Sequence, residues 1–139
     1  MTHPRTHPRT QPRTQSPSPP SSGGRAELGA RGEAVAARYL ERCGLVMLDR
    51  NWRSREGEID LVATDGDAVV IVEVKTRSGI DFGLPAEAVT PIKLARLRRL
   101  AQLWLAANRV GWVEVRFDVV AVLARPGAPV EVEHFPGVF

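Results

Sequence analysis

Asp60, Glu73 and Lys75 have the residue types and the spacing from which a hydrolytic site can be built. They fall in two apolar runs, 58–64 and 69–75, separated by Asp65-Gly66-Asp67, a strong hairpin signal. Side chains alternate across a strand. Ile59, Leu61 and Ala63 are therefore expected on one face of the first strand, with Glu58 and Asp60 on the other. On the second strand Val70, Val72 and Val74 share a face, and Ile71, Glu73 and Lys75 share the opposite one. A turn at Gly66-Asp67 places Asp60 across from Glu73. A turn at Asp65-Gly66 places Glu58 across from Glu73, with Asp60 on the diagonal. Both registers crowd two carboxylates onto one patch of sheet.

Two carboxylates about 5 Å apart repel by roughly 3 kcal/mol at an effective dielectric near 20. The 69–74 run is apolar on both faces except for Glu73, which marks an interior strand where a lone carboxylate is costly. Lys75, two residues away on the same face, can neutralise one acid and leaves another unbalanced. A divalent cation balances both, and oxygen-only ligands favour a hard ion, Mg²⁺ or Mn²⁺, over zinc. Glu33 is the fourth candidate. The other charges of its helix lie opposite the apolar stripe, whereas Glu33 falls beside Leu40 at the margin of the buried face. An acid near a helix N-terminus is also favoured by the helix dipole alone, so both readings of Glu33 stand.

These residues need elements to hold them. A helical stripe of Leu28, Val35, Ala36, Tyr39, Leu40 and Cys43 predicts a helix over 27–43, stopped by Gly44. Residues 45–48 form a short apolar strand, and 51–57 read as a polar loop. After the hairpin, 76–85 is a loop containing Gly79 and Gly83. A second helix runs from Pro91 to about Asn108, and two strands follow at 115–123 and 130–135. Helix, three strands, helix, two strands describes an α/β domain with a mixed sheet of about five strands. Trp104 falls in register with leucines and is expected in the core. Trp52 and Trp112 are expected to cap the core, and Cys43 to be a buried small residue. His134 has no assigned role.

The chain has 139 residues, enough for one domain with its own core. Its formal charge of +3 is uneven: Arg5, Arg9 and Arg13 lie in the first 24 residues, which hold no acid. The other sixteen basic residues balance sixteen acidic ones. Any affinity for polyanions must therefore come from local clusters rather than overall charge. Arg53, Arg55 and Arg77 flank the acidic hairpin and can contact phosphates or serve as ordinary loop charge. Lys93 projects onto the apolar stripe of the second helix and can turn toward the acids, whereas Arg98 and Arg99 suit a solvated face. Residues 1–24 are a Pro/Thr/Arg-rich segment expected to be disordered, and 25–139 the folded domain. Prolines around His3 and His7 exclude a helical metal pair. One cysteine, no spanning apolar run and no secretory signal predict a soluble cytoplasmic protein.

Gly57-Glu58-Ile59-Asp60, twelve residues, then Glu73-Val74-Lys75 resembles the D…(D/E)-x-K signature of the restriction-endonuclease-like superfamily. Many members carry proline where this chain has Ile59, a position that is not a ligand. Gly32-Glu33, Asn51-Trp52-Arg53, Val72-Glu73-Val74-Lys75-Thr76-Arg77, Phe82-Gly83 with Pro85, Lys93 and Arg116-Phe117-Asp118 extend the match. Together they are similar to the YraN-like family over about residues 25–124. The resemblance implies a restriction-endonuclease-like fold akin to archaeal Holliday junction resolvases. It implies that Glu33, Asp60 and Glu73 bind metal and that Lys75 positions or deprotonates the attacking water. It also implies DNA as substrate, branched or damaged forms included, and by analogy a homodimer. A nucleic-acid-binding module that keeps the fold without turnover is the alternative. A purely structural domain would require the carboxylates to be exposed or separately paired.

Overall fold

A computed structural model describes residues 23–78 and 83–139, with side chains from Glu27 onward. Most of the Pro/Thr/Arg-rich segment, His3 and His7 included, and the loop positions Gly79 and Phe82 lie outside those residues. The elements run α1 (Gly23–Arg42), β1 (Val46–Ser54), β2 (Gly57–Thr64), β3 (Ala68–Arg77), α2 (Pro91–Ala107), β4 (Glu114–Leu123) and β5 (Glu131–Phe135), with one 3₁₀ turn at Ala86–Ala88. The strands form one sheet in the order β1-β2-β3-β4-β5. Only the β3–β4 pair is parallel; the other three are antiparallel. The mixed α/β architecture expected from the element order is the one observed.

The two helices cover opposite faces of the sheet. Ala36, Ala37 and Leu40 of α1 pack on Leu61, Ala63, Val70, Val72, Val120 and Val122. On the other face Leu97, Leu100, Ala101 and Trp104 of α2 pack on Val62, Val69, Ile71 and Phe117. β3 is the middle strand and its first five residues are all buried, as a strand covered on both faces must be. Its alternation carries outward from this core, so Glu73 and Lys75 follow Ile71 onto the α2 side.

Several local expectations are corrected. α1 begins at Gly23, inside the segment that composition assigns to the tail. Residues 51–54 belong to β1 rather than to a loop, because Trp52, Arg53 and Ser54 pair with Ile59, Glu58 and Gly57. A polar sequence can join a strand when a neighbour supplies its hydrogen bonds. Cys43 is exposed, since α1 ends at Arg42 and Gly44 (φ 93°) closes the helix with its N–H on Glu41 O at 3.0 Å. Trp112 does not cap the core; it is 100% exposed, in the connection between α2 and β4. Ile59 packs in the α2-side cluster with Trp52, not with Leu61 and Ala63. The β2–β3 ladder ends at Leu61↔Val72, and beyond that pair Ile59 is held on the β1 side alone, opposite Trp52.

Candidate active site

The hairpin turn decides which carboxylates meet. Thr64 pairs with Val69, and Asp65 Oδ1 accepts hydrogen bonds from Asp67 N (2.9 Å) and Ala68 N (2.8 Å). Gly66, at φ 100°, takes the backbone conformation that L side chains resist. The turn is therefore centred on Gly66-Asp67, and its register runs down to Leu61↔Val72, one step short of Asp60 opposite Glu73. There the strands stop pairing. Val74 N donates to Asp60 Oδ2 at 2.8 Å, so the side chain replaces the missing backbone acceptor. Asp60 thus stands in the cleft between two parting strands, held by the fold.

Asp60 and Glu73 line one pocket with Gly57, Glu58, Lys93, Arg96, Leu97 and Leu100. The two acids differ sharply in their partners. Glu73 Oε1 lies 2.6 Å from Lys93 Nζ and 3.8 Å from Lys75 Nζ, and its side chain is only 11% exposed. Asp60 has no ion pair among the described residues; its partner is the Val74 N–H. Burial, then the charge of Glu73, with smaller repulsion from Glu33 and Glu58, push the Asp60 carboxyl from 3.8 up to about 7. The Val74 hydrogen bond opposes this without cancelling it. A carboxylate raised in this way is short of positive charge.

Glu33 approaches from the α1 face. Gly32 allows it: a Cβ there would collide with Thr76 Oγ1, so only glycine lets α1 lie this close to β3. Glu33 lines two depressions beside the main pocket, one with Val74 and Thr76 and the other with Asn51, Arg53 and Glu58. Burial raises its pKa, opposed by a hydrogen bond with the Asn51 side chain. Asn51 itself adopts φ 51°, a left-handed conformation that asparagine tolerates better than most residues. Asp60, Glu73, Lys75 and Lys93 are thus brought together, while Glu33 stands at their margin. Among the described residues no three His, Cys, Asp or Glu side chains close tightly enough to cage a metal ion.

Asp60 and Glu73 nevertheless fit a hard divalent cation. Both offer only oxygen, Asp60 has no cationic partner among the described residues, and Mg²⁺ commonly takes one or two carboxylates and keeps several waters. The flanking arginines are less committed to the pocket. Arg53 Nε pairs with Glu58 at 3.3 Å, and Arg77 with Glu87 at 2.5 Å. Arg55 is exposed on the β1–β2 turn. Arg98 and Arg99 are exposed, as expected of a solvated face. Sequence reasoning puts Arg96 in the basic cluster of Lys93, Arg98 and Arg99 at the start of α2 without a site role, yet it lines the pocket one helical turn after Lys93; the i, i+3 spacing from Lys93 is the signal for that role.

It also missed a buried cluster around Asp118, whose side chain is fully buried. Arg116 grips both of its oxygens (2.9 and 3.0 Å), and His134 Nε2 lies 2.8 Å from Oδ2. Gly137 N donates to Oδ1 at 3.0 Å. Asp118 follows the alternation of Val120 and Val122 onto the α1 side, away from the pocket, and His134 meets Tyr39 of α1 edge to face. This cluster fastens β5 and the residues after it to β4.

Fold and site together define a small α/β protein whose mixed sheet presents a pocket of mixed acidic and basic side chains beside its second helix. Residues 32–122 match the model of the uncharacterised protein family UPF0102, and the chain belongs to that family. It is 58% identical over 111 residues to a UPF0102 protein of Beutenbergia cavernae, covering 80% of this chain and 94% of that one. A UPF0102 protein of Nocardia farcinica is 51% identical over 117 residues, covering 84% and 92%. Among solved structures it is similar to Hjc, a Holliday junction resolvase of Archaeoglobus fulgidus, with a TM-score of 0.44 and 20% identity, covering 76% of this chain and 73% of that chain. No helix among the described residues is long and apolar enough to cross a membrane.

Proposed function

We propose that the pocket is a divalent-cation site for hydrolysing nucleic-acid phosphodiester bonds, with DNA as substrate. The observation that carries this is Asp60: a part-buried carboxylate raised to about 7, beside Glu73, with no counter-ion among the described residues. The likeness of Asp60, Glu73 and Lys75 to the restriction-endonuclease-like signature supports the same reading. Asp60 and Glu73 would hold Mg²⁺ or Mn²⁺, with Glu33 biasing the field from the α1 side. When bound, the ion supplies Lewis acidity toward a phosphoryl oxygen and toward water.

The chain's own residues do the rest. Lys75, on the same face as Glu73, holds the attacking water or offsets negative charge developing at the phosphorus. Arg53, Arg55 and Arg77 outside the pocket, and Lys93 and Arg96 on α2, would contact phosphates on either side of the scissile bond. The leucines beneath the pocket, Leu97 and Leu100, lower the local dielectric and strengthen each of these interactions.

One observation favours a second reading, a nucleic-acid-binding module without turnover. Glu73 already carries two ammonium partners, and no three acids converge among the described residues. Cleavage of branched, single-stranded and duplex DNA with Mg²⁺ or Mn²⁺, beside Asp60→Asn and Lys75→Ala, separates the two. Metal-dependent product from the parent and at least 100-fold less from either variant, on the order expected for loss of one charge-stabilising group, is the nuclease result. Binding to every substrate with no cutting is the module result. Equal product from parent and variants marks contamination.

A further inference from the structure

Glu73 has one more cation than its place on the sheet supplies. Lys75 is two residues along the same face, yet the closer ammonium comes from α2: Lys93 Nζ is 2.6 Å from Glu73 Oε1, and Lys75 Nζ is 3.8 Å from the same oxygen. Lys93 is therefore where a cation bound to that oxygen would have to sit. We propose that Lys93 is a built-in counter-ion that occupies Glu73 in the metal-free protein and is displaced when a divalent cation binds. The inference rests on the cation-site reading above and adds a competitor to it.

Three features support an exchange rather than a permanent ion pair. First, the lysine occupies an oxygen that a cation would use, and the pair keeps some solvent access, with the Lys93 side chain 26% exposed and that of Glu73 11%. A lysine ammonium and a hard dication on the same carboxylate oxygen repel each other, so a cation bound at Glu73 Oε1 favours departure of the lysine. Second, the first turn of α2 is lightly anchored. Pro91 is exposed, Ile92 is 85% exposed, and Thr90 Oγ1 caps the turn by accepting from Lys93 N at 3.2 Å. The buried anchors of α2 begin at Leu97. Third, a displaced Lys93 would swing toward solvent on the wall it shares with the exposed Arg96, where the two cations repel until a phosphate joins them.

The test is Mn²⁺ binding, followed by the loss of the free-ion electron paramagnetic resonance signal, in the full chain without nucleic acid. Lys93→Met keeps the length of the stem and removes the charge; Lys93→Gln is a second, polar replacement should the first fold poorly. Either is expected to bind Mn²⁺ about tenfold more tightly than the parent, within the usual range of coupling between two sites. Lys75→Met is expected to gain less, its ammonium being farther from the shared oxygen. Asp60→Asn, combined with Lys93→Met, is expected to abolish the gain, which locates the ion. Unchanged or weaker Mn²⁺ binding in both Lys93 variants overturns the counter-ion role while leaving the cation site standing. Absence of Mn²⁺ binding in the parent and all Lys93 variants overturns the cation site as well.

Discussion

Asp60 serves the fold and the site with the same carboxylate. One oxygen accepts from Val74 N where the β2–β3 ladder has stopped, and the side chain reaches the pocket that Glu73 lines. The fold therefore tolerates its loss unevenly. Asp60→Asn retains an acceptor for Val74 N, whereas Asp60→Ala leaves that N–H unpaired and costs about 1–3 kcal/mol more in urea denaturation. The raised carboxyl also makes a pH prediction. Its folded pKa of about 7 lies above the ordinary 3.8, so from about pH 4 to 7 the folded chain binds more protons than the unfolded one. Stability from this group is complete below pH 4 and is lost as the pH rises through 7, by about 4 kcal/mol in all. Thermal melts of the metal-free protein should fall across that window. Asp60→Asn should flatten the slope and melt above the parent at pH 8, and Mg²⁺ should raise the parent's melting point at pH 8 but not the variant's.

Helix α1 is positioned by what its sequence leaves out. An alanine is about 1 kcal/mol better than glycine inside a helix, so Gly32→Ala should stabilise α1 taken alone. Here the added methyl meets Thr76 Oγ1 on β3, and overpacking of that kind costs about 1–3 kcal/mol. Chemical denaturation should therefore show a net loss, and pairing Gly32→Ala with Thr76→Ala should recover most of it. The hairpin, the middle strand and α2 were legible in the sequence, because Asp65-Gly66-Asp67, the apolar run of β3 and Pro91 are local signals. The full length of β1 was not. Residues 51–54 look like a loop until β2 pairs with them, and pairing between strands is not written in either strand alone. The exposure of Trp112 and Cys43 was missed for a related reason: where a chain turns off an element depends on what the next element does.

At the scale of the whole molecule, the sheet separates support from chemistry. The pocket opens on the α2 side, and the Asp118 cluster fastens β5 to β4 on the α1 side. The cluster escaped sequence reasoning because Arg116 and Asp118 are neighbours on a strand while His134 and Gly137 arrive only once β5 has folded back. Asp118→Ala leaves Arg116 with Asp65 alone and removes the buried partner of His134 and Gly137 N, so it should cost about 1–3 kcal/mol in denaturation, while leaving Mn²⁺ affinity within about twofold of the parent. The candidate site was legible further than the fold around it. Asp60, Glu73 and Lys75 stand out by type and spacing and do come together, whereas the closeness of Lys93 to Glu73 depends on how α2 crosses the sheet. Anomalous diffraction from a crystal soaked in Mn²⁺ tests the central claim most directly. The account predicts one strong peak within coordination distance of both an Asp60 and a Glu73 oxygen, absent in Asp60→Asn. A soaked crystal with no peak there, or with the peak unmoved by Asp60→Asn, would contradict it.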